Sequence, residues 1–308
     1  MRLIKTEDAV GHVLCHDMTQ IIKDQYKDAR FRKGHVVTEE DIPVLLSMGK
    51  EHLYVWEMTS GMVHENDAAE RLLALCGQEN MIRSGVKEGK IELKAACDGV
   101  FLVDSARLVA VNSQDEVMIA TRKGGMAVRE GDKLAGMRVI PLIIEEEKLR
   151  KAEQAAGDKP LLSLKPYVRK TACIVATGGE VKKGLIKDTF TPVVIDKLKT
   201  YGIETLEVVY SGDGVENVRD AVLAMREKKP DMILCTGGMS VDPDDNTPGG
   251  IKAAGANIIA YGAPVLPGAM FLLGYFDDGM PVMGLPGCVM YAGATVFDLV
   301  LPKIAADV

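Results

Sequence analysis

The sequence predicts an α/β protein: a C-terminal three-layer αβα domain with a mostly parallel sheet, preceded by an N-terminal domain that is mixed α+β and rich in strands. Three observations predict it. The chain has 308 residues, about twice a typical domain. From residue 168 onward, apolar β-type runs alternate with helix-length periodic segments at the spacing of βαβ units. Upstream of residue 145 the texture differs, with short apolar runs broken by turn dipeptides such as Asp98-Gly99 and Gly124-Gly125. The predicted boundaries are 1–144 for the first domain, 145–167 for a linker and 168–308 for the second domain.

In the first domain, residues 38–48 predict a helix. Thr38 can cap it, Glu39 and Glu40 suit the positive end of its dipole, Ile42, Leu45 and Leu46 share a face, and Gly49 supplies a left-handed stop. Residues 52–56 read as a strand. Residues 145–158, EEEKLRKAEQAAGD, are charged, alanine-rich and free of β-branched side chains, which predicts a helical connector. Strands follow at 172–176, 205–210, 232–235 and 257–260, then a hairpin over 270–284 turning at Asp277-Asp278-Gly279. Helices fill the gaps. One spans 192–201, with Pro192 in the first turn and Gly202 as its stop; the others span 215–228 and 289–305.

Composition narrows the function. Apolar residues at 47% and charged ones at 26% are ordinary for a soluble globular chain, and a formal net charge of -7 argues against nucleic acid as a partner. The six cysteines form no C-x-x-C pair, and the chain opens without an apolar export signal, so they read as reduced thiols in a cytoplasm. No window reaches the roughly 18 apolar residues of a membrane span.

In an open parallel sheet, the loops leaving the carboxyl ends of the strands line the ligand crevice. Three of these loops are unusual. The first is Thr177-Gly178-Gly179-Glu180, followed by Lys187-Asp188-Thr189 before a helix. Its glycines would let backbone approach a ligand and its amides could hold phosphate, although a strand followed by Gly-Gly is equally a plain tight turn. The second is Thr236-Gly237-Gly238-Met239-Ser240-Val241-Asp242-Pro243-Asp244-Asp245-Asn246-Thr247-Pro248. Its three acidic residues, beside a glycine pair and two hydroxyls, can hold a divalent cation against phosphate groups. It can also be a polar loop in which Asp242 and Asp244 form side-chain turns and Asp245 or Thr247 caps the next helix. The third is Leu285-Pro286-Gly287-Cys288, placed before the last predicted helix. Its amides would face an anion and its thiol would ionise more easily there, or Cys288 is a small buried thiol.

Taken together, the order T-G-G-E, G-x-I-x-D, T-G-G-x-S-x-x-x-x-D, P-x-x-P-G and L-P-G resembles the molybdopterin-binding domain shared by molybdopterin adenylyltransferases, molybdopterin molybdenumtransferases and gephyrin-type fusions. The resemblance covers about residues 168–308. Gly237, Gly238, Ser240 and Asp245 match the G-G-x-S-x-G-x-x-D of molybdenumtransferases, in which Asp242 here replaces the later glycine. Gly237, Gly238, Asp245, Thr247 and Pro248 match the G-G-x-G-x-x-x-x-D-x-T-P of adenylyltransferases. The usual L-P-G-N-P is here Leu285-Pro286-Gly287-Cys288-Val289.

In the first half, residues 7–17 are similar to the A-x-G-R-V-L-A-x-D that opens molybdenumtransferases, and residues 34–55 to a later segment of theirs. The D-x-S-x-M-D-G-Y-A signature is absent; after Asp17 the chain reads Met18-Thr19-Gln20-Ile21-Ile22.

The resemblance implies a molybdenumtransferase-like enzyme of molybdenum cofactor synthesis. It would take molybdopterin or its adenylylated form as substrate, with molybdate and Mg²⁺, and act as a homodimer. It implies catalytic roles for Asp245 and Ser240, a cation at Asp245 and Asp242, and pterin contacts from Thr177, Gly178, Gly179, Glu180, Asp188, Thr236, Gly237, Gly238, Thr247, Pro286, Gly287 and Cys288. Adenylyl transfer, nucleotide pyrophosphate hydrolysis suggested by Asp244-Asp245-Asn246-Thr247, and a non-catalytic carrier or sensor are the alternatives.

Two other groups stand out. His12, Cys15, His16 and Asp17 crowd together, but alternate residues of an extended segment face opposite ways and would not converge on one ion. Lys23, Lys27, Arg30, Arg32 and Lys33 form either a solvated charged face or an anion site.

Overall fold

The computed structural model describes residues 2–22, 26–56, 61–240 and 245–308. The chain divides into two compact units: Met1–Ala96, Phe101–Gly124 and Glu130–Ser163 form the first, and Cys97–Val100, Gly125–Arg129 and Leu164–Val308 the second.

The first unit is built from small antiparallel sheets and short helices. Strand His52–Trp56 pairs with Arg2–Lys5 on one side and Val13–Leu14 on the other. Its alternation explains the pairing: Leu53 and Val55 are fully buried with Leu14 and Leu45, while His52 and Tyr54 face out. The helix expected over 38–48 is shorter, Asp41–Ser47. Asp41 is the reason, because its carboxylate accepts hydrogen bonds from the amide and hydroxyl of Thr38 at 2.8 and 2.9 Å and holds residues 38–40 in a turn ahead of the helix. The charged segment after residue 145 forms helix Glu146–Ala156, and Leu149, Ala152 and Ala156 are fully buried within this unit.

The second unit is the α/β part. The strands of its six-stranded sheet are β1 (Thr171–Thr177), β2 (Glu204–Ser211), β3 (Met232–Thr236), β4 (Asn257–Tyr261), β5 (Leu272–Tyr275) and β6 (Pro281–Leu285), ordered β2-β1-β3-β6-β5-β4. The pairs β2-β1, β1-β3 and β3-β6 are parallel; β6-β5 and β5-β4 are antiparallel, so the sheet is mostly parallel with an antiparallel edge. Strands β3 and β6 are buried at every residue, which requires cover on both faces. Helices α1 (Phe190–Thr200), α2 (Val215–Arg226), α3 (Thr247–Ala253) and α4 (Val296–Ala305) supply it. On one face, Cys173 and Val175 of β1 and Ile233 and Cys235 of β3 pack with Val218 and Val222 of α2 and Ile251 of α3.

The final helix corrects an expectation. It begins at Val296 rather than 289, and residues Gly287–Met290 form a separate 3-10 turn. A capping box stops the helix from extending backward: the Asp298 carboxylate accepts hydrogen bonds from the amide and hydroxyl of Thr295 at 2.7 and 2.9 Å.

Two predictions follow from this packing. Gly250 of α3 lies so close to α2 that a Cβ there would sit 2.5 Å from Val218 Cβ and Cγ1. Alanine gains about 1 kcal/mol of helix propensity over glycine, whereas overpacking costs about 1–3 kcal/mol; Gly250→Ala should therefore lower the urea midpoint, and a midpoint equal to or above wild type would contradict the close helix approach. Asp231 ties the start of β1, since its carboxylate accepts from the amides of Lys170 and Thr171 at 2.6 and 2.9 Å and from the Thr171 hydroxyl at 3.0 Å. Burial pushes this carboxyl up, but those hydrogen bonds and the charge of Arg169 outweigh it, and its pKa falls below the ordinary value. A depressed folded-state pKa contributes stability above the unfolded value and loses it as pH falls through the folded one. Thermal melts of wild type and Asp231→Asn should thus differ most near neutrality and converge below about pH 4.

Candidate active site

The topology places a crevice before any side chain is considered. From β1 the chain passes to β2 on one side, and from β3 it passes to the other side, so the connections diverge between the carboxyl ends of β1 and β3. At such a switch point the outgoing loops separate and leave room for a ligand.

The loop after β3 is held there by hydroxyls. Gly237 and Gly238 both take positive φ, 83° and 57°. A Cβ on Gly237 would lie 2.5 Å from the Thr177 carbonyl oxygen, so the end of β1 packs directly on this turn. Thr177 Oγ1 donates to the Thr236 carbonyl at 2.9 Å, and Thr247 Oγ1 donates to the Gly237 carbonyl at 2.8 Å. The two hydroxyl oxygens are 3.2 Å apart, and the Thr247 amide donates to the Gly238 carbonyl at 3.2 Å. Thr236 and Thr247 are buried, so these are protected polar contacts. The loop leaves β3 and returns into α3 through this lock, which positions Asp245 two residues before Thr247.

Beside the lock lies a cavity of about 450 Å³. Gly237, Gly238, Met239, Ser240 and Asp245 form one wall, and Pro286, Gly287 and Cys288 another. The connection from β4 to β5, Leu266 to Met270, and Phe190 of α1 complete it. Most of the wall is apolar, which suits the flat body of a heterocycle better than a bare phosphate. Met239 can form its floor because β6 carries Gly284 beneath it, where a Cβ would meet the Met239 sulfur at 2.6 Å. At the rim, the Tyr261 hydroxyl lies 3.5 Å from the Ser240 carbonyl. Burial and the charge of Asp245 together push the Tyr261 phenol up.

The structure thus brings Gly237, Gly238, Ser240, Asp245, Pro286, Gly287 and Cys288 onto one cavity. Other expected positions stand elsewhere. Thr177, Thr236 and Thr247 form the lock beneath it. Gly178 leads into a single helical turn, Gly179–Lys182, and Glu180 on that turn is exposed. The Gly179 amide is already taken by the Asp213 carboxylate, at 3.1 and 3.0 Å from its two oxygens. Asp188 caps α1, accepting from the amides of Phe190 and Thr191 at 2.9 and 3.0 Å. Burial raises its carboxyl, and the hydrogen bonds from Thr191 and Phe190 bring it below the usual range. Asp242 lies outside the described residues. Cys288 sits on a four-residue 3-10 turn, so it lacks the full dipole of the helix that the sequence suggested there.

Sequence reasoning missed Phe190, Tyr261 and Asp213. Phe190 and Tyr261 sit at element ends, where nothing in the local pattern distinguishes a cavity wall from filler. Asp213, in Ser211-Gly212-Asp213-Gly214, carries a turn signal that could have marked an anion placed against the first glycine pair. Among the described residues no group of three or more His, Cys, Asp or Glu side chains is arranged to hold a metal, and no helix is long and apolar enough to cross a membrane.

Residues 173–306 match the family described as a probable molybdopterin binding domain, and residues 3–57 match a domain of unknown function, DUF8806. A CinA-like protein of Mycobacterium tuberculosis (strain ATCC 25177 / H37Ra) is 33% identical over 76 residues, which is 25% of this chain and 18% of that protein. A CinA-like protein of Petrotoga mobilis is 32% identical over 76 residues, 25% of this chain and 19% of its own length. The alignment therefore spans under a fifth of these curated relatives. Among solved structures, the molybdopterin biosynthesis MoeA protein of Pyrococcus horikosii aligns with 80% of this chain and 79% of its own at 15% identity and a TM-score of 0.38. With its crevice at the sheet's switch point and its sequence matched over residues 173–306, the second unit of this chain is a domain of the molybdopterin-binding family.

Proposed function

We propose that the second unit binds molybdopterin or adenylylated molybdopterin in the cavity bordered by Ser240, Asp245 and Cys288, and that the protein is a molybdenumtransferase-like enzyme. The observation that carries this reading is the pairing of an apolar slot with one carboxylate at its edge. The slot takes the flat pterin; the edge takes the phosphate end.

The donor set fits a cation shared with substrate. Among the described residues Asp245 is the acidic side chain on the wall, and Mg²⁺ is held by one or two carboxylates together with phosphate oxygens and water. When bound, it would neutralise charge building on the phosphate oxygens. Asp245 holds the position of that charge, Ser240 offers a hydroxyl to an oxyanion, and the apolar wall holds the ring. Molybdate would approach the dithiolene as a substrate, and a water molecule adding to a phosphorus of the phosphoanhydride would break the P–O bond, releasing AMP and leaving the phosphate on the pterin. Adenylyl transfer is the second reading, favoured by the sequence Asp245-Asn246-Thr247-Pro248 leading into α3.

Two outcomes test the proposal. Purified protein given adenylylated molybdopterin, Mg²⁺ and molybdate should release AMP, and Asp245→Asn should slow release by about a hundredfold or more, the scale of losing one positioned charge. Absence of AMP release, or equal rates for wild type and variant, overturns it; ATP consumption with molybdopterin and no need for molybdate selects adenylyl transfer instead. If the hydroxyl lock positions Asp245, Thr247→Ser should keep most activity and Thr247→Val should lose it while leaving the melting temperature within a few degrees. Equal activities for the two variants would show that the lock does not act on the site.

A further inference from the structure

The first unit carries two cavities, of about 540 and 530 Å³, that share Arg32, Lys33, Glu65 and Glu88 as lining residues. Glu65 is their least expected component. It is the first residue of helix Glu65–Cys76 and is 4% exposed. Gly34 and Gly89 close around its carboxylate so tightly that a Cβ on either would lie 2.9 Å from Oε1 or 2.6 Å from Oε2. A buried carboxylate is ordinarily matched by donors. The carboxylate of Glu65 instead opens onto the two cavities, where its nearest cation is Arg138, at 3.9 Å.

The residue before it in the chain is committed elsewhere. His64 Nε2 stands 2.8 Å from the Gly34 carbonyl, which can only accept, and Nδ1 stands 3.2 Å from the Asn66 amide, which can only donate. Both ring nitrogens are therefore engaged. Burial pushes the Glu65 carboxyl above the usual range, and the charge of Arg138 draws it partly back.

The remaining lining gives the shape of a ligand. Trp56, Ile140, Pro141 and Leu142 supply an aromatic face and an apolar wall. Arg32, Lys33 and Arg138 supply cations. Of the facing acids, Asp17 accepts the Lys33 amide at 2.7 Å, and Glu88 is 3.9 Å from Arg32. Cations around the rim disfavour a metal ion at Glu65. They favour a neutral N–H donor pair against the carboxylate, with an anionic group reaching the rim.

We propose that this cavity binds a planar heterocycle that presents a ring N–H beside an exocyclic amino group and carries a phosphate, as a guanine nucleotide or a phosphorylated pterin does. Glu65 accepts the two N–H groups, Trp56 stacks on the ring, and Arg138 with Lys33 takes the phosphate. The site belongs to the first unit and is independent of the reading given to the second.

Trp56 is the chain's one tryptophan, so its fluorescence reports the site directly. Full-length protein should show saturable quenching by GMP, with AMP, which lacks the donor pair, at least tenfold weaker. Glu65→Gln should weaken GMP at least tenfold with an unchanged circular dichroism spectrum. Should that variant misfold, Arg138→Gln followed by calorimetry decides: GMP weakens while guanosine is unaffected. A phosphorylated pterin binding more tightly than GMP identifies the pterin as the source of the ring, and the reverse identifies the nucleotide. No saturable signal from either up to millimolar concentration, equal binding of AMP and GMP, or an Arg138→Gln protein that binds GMP like wild type each overturns the proposal. Asp245→Asn serves as the control with wild-type quenching.

Discussion

The second unit depends on a backbone turn that most residues could not make. Gly237 and Gly238 both take positive φ, at 83° and 57°, directly above the carbonyl end of β1. Without side chains there, Thr236 can end β3 with its carbonyl turned toward Thr177 and the chain can fold back so that Thr247 reaches Gly237. The hydroxyls of Thr177 and Thr247 then meet at 3.2 Å, and two loops distant in sequence become one rigid piece. Each hydroxyl has one proton and places it on a carbonyl, Thr177 on that of Thr236 and Thr247 on that of Gly237, so these two bonds carry the lock.

That lock divides labour among the motif residues. The threonines hold the loop, and the glycine pair, Ser240 and Asp245 border the cavity. The first glycine pair is organised differently, since the Asp213 carboxylate occupies the Gly179 amide as an internal anion. Cysteine chemistry is divided in the same way. Cys235 is fully buried within β3, and its thiol is pushed up to about 12, which leaves it unreactive near neutrality; Cys288 borders the cavity. The first unit follows another logic, in which a carboxylate is desolvated between two glycines and faces a cationic rim.

Much of the second unit was legible because its signals are local. Short β-type runs bounded by turn residues placed β1, β2, β3 and β4 within about a residue of their observed ends, and Asp277-Asp278-Gly279 marked the hairpin between β5 and β6. The last helix was misplaced because residues 289–295 are as apolar as the helix they precede. What separates them is the reciprocal bonding of Thr295 and Asp298, which competes with helix extension. The short helix Asp41–Ser47 has the same cause, a carboxylate that bonds backward to Thr38.

By itself, the sequence determined the α/β class, the loops at the strand ends and the residue types available for chemistry, because periodicity and turn chemistry act over a few positions. It could not say which of those residues face one another. Thr177, Thr236 and Asp188 have hydrogen-bond partners in neighbouring strands and at a helix start, which one dimension does not display. Sheet order and register made those assignments, as they brought the β4 to β5 connection beside the glycine loop and Gly34 and Gly89 around Glu65. Contacts between distant segments are set by packing, and packing is a property of the folded chain alone.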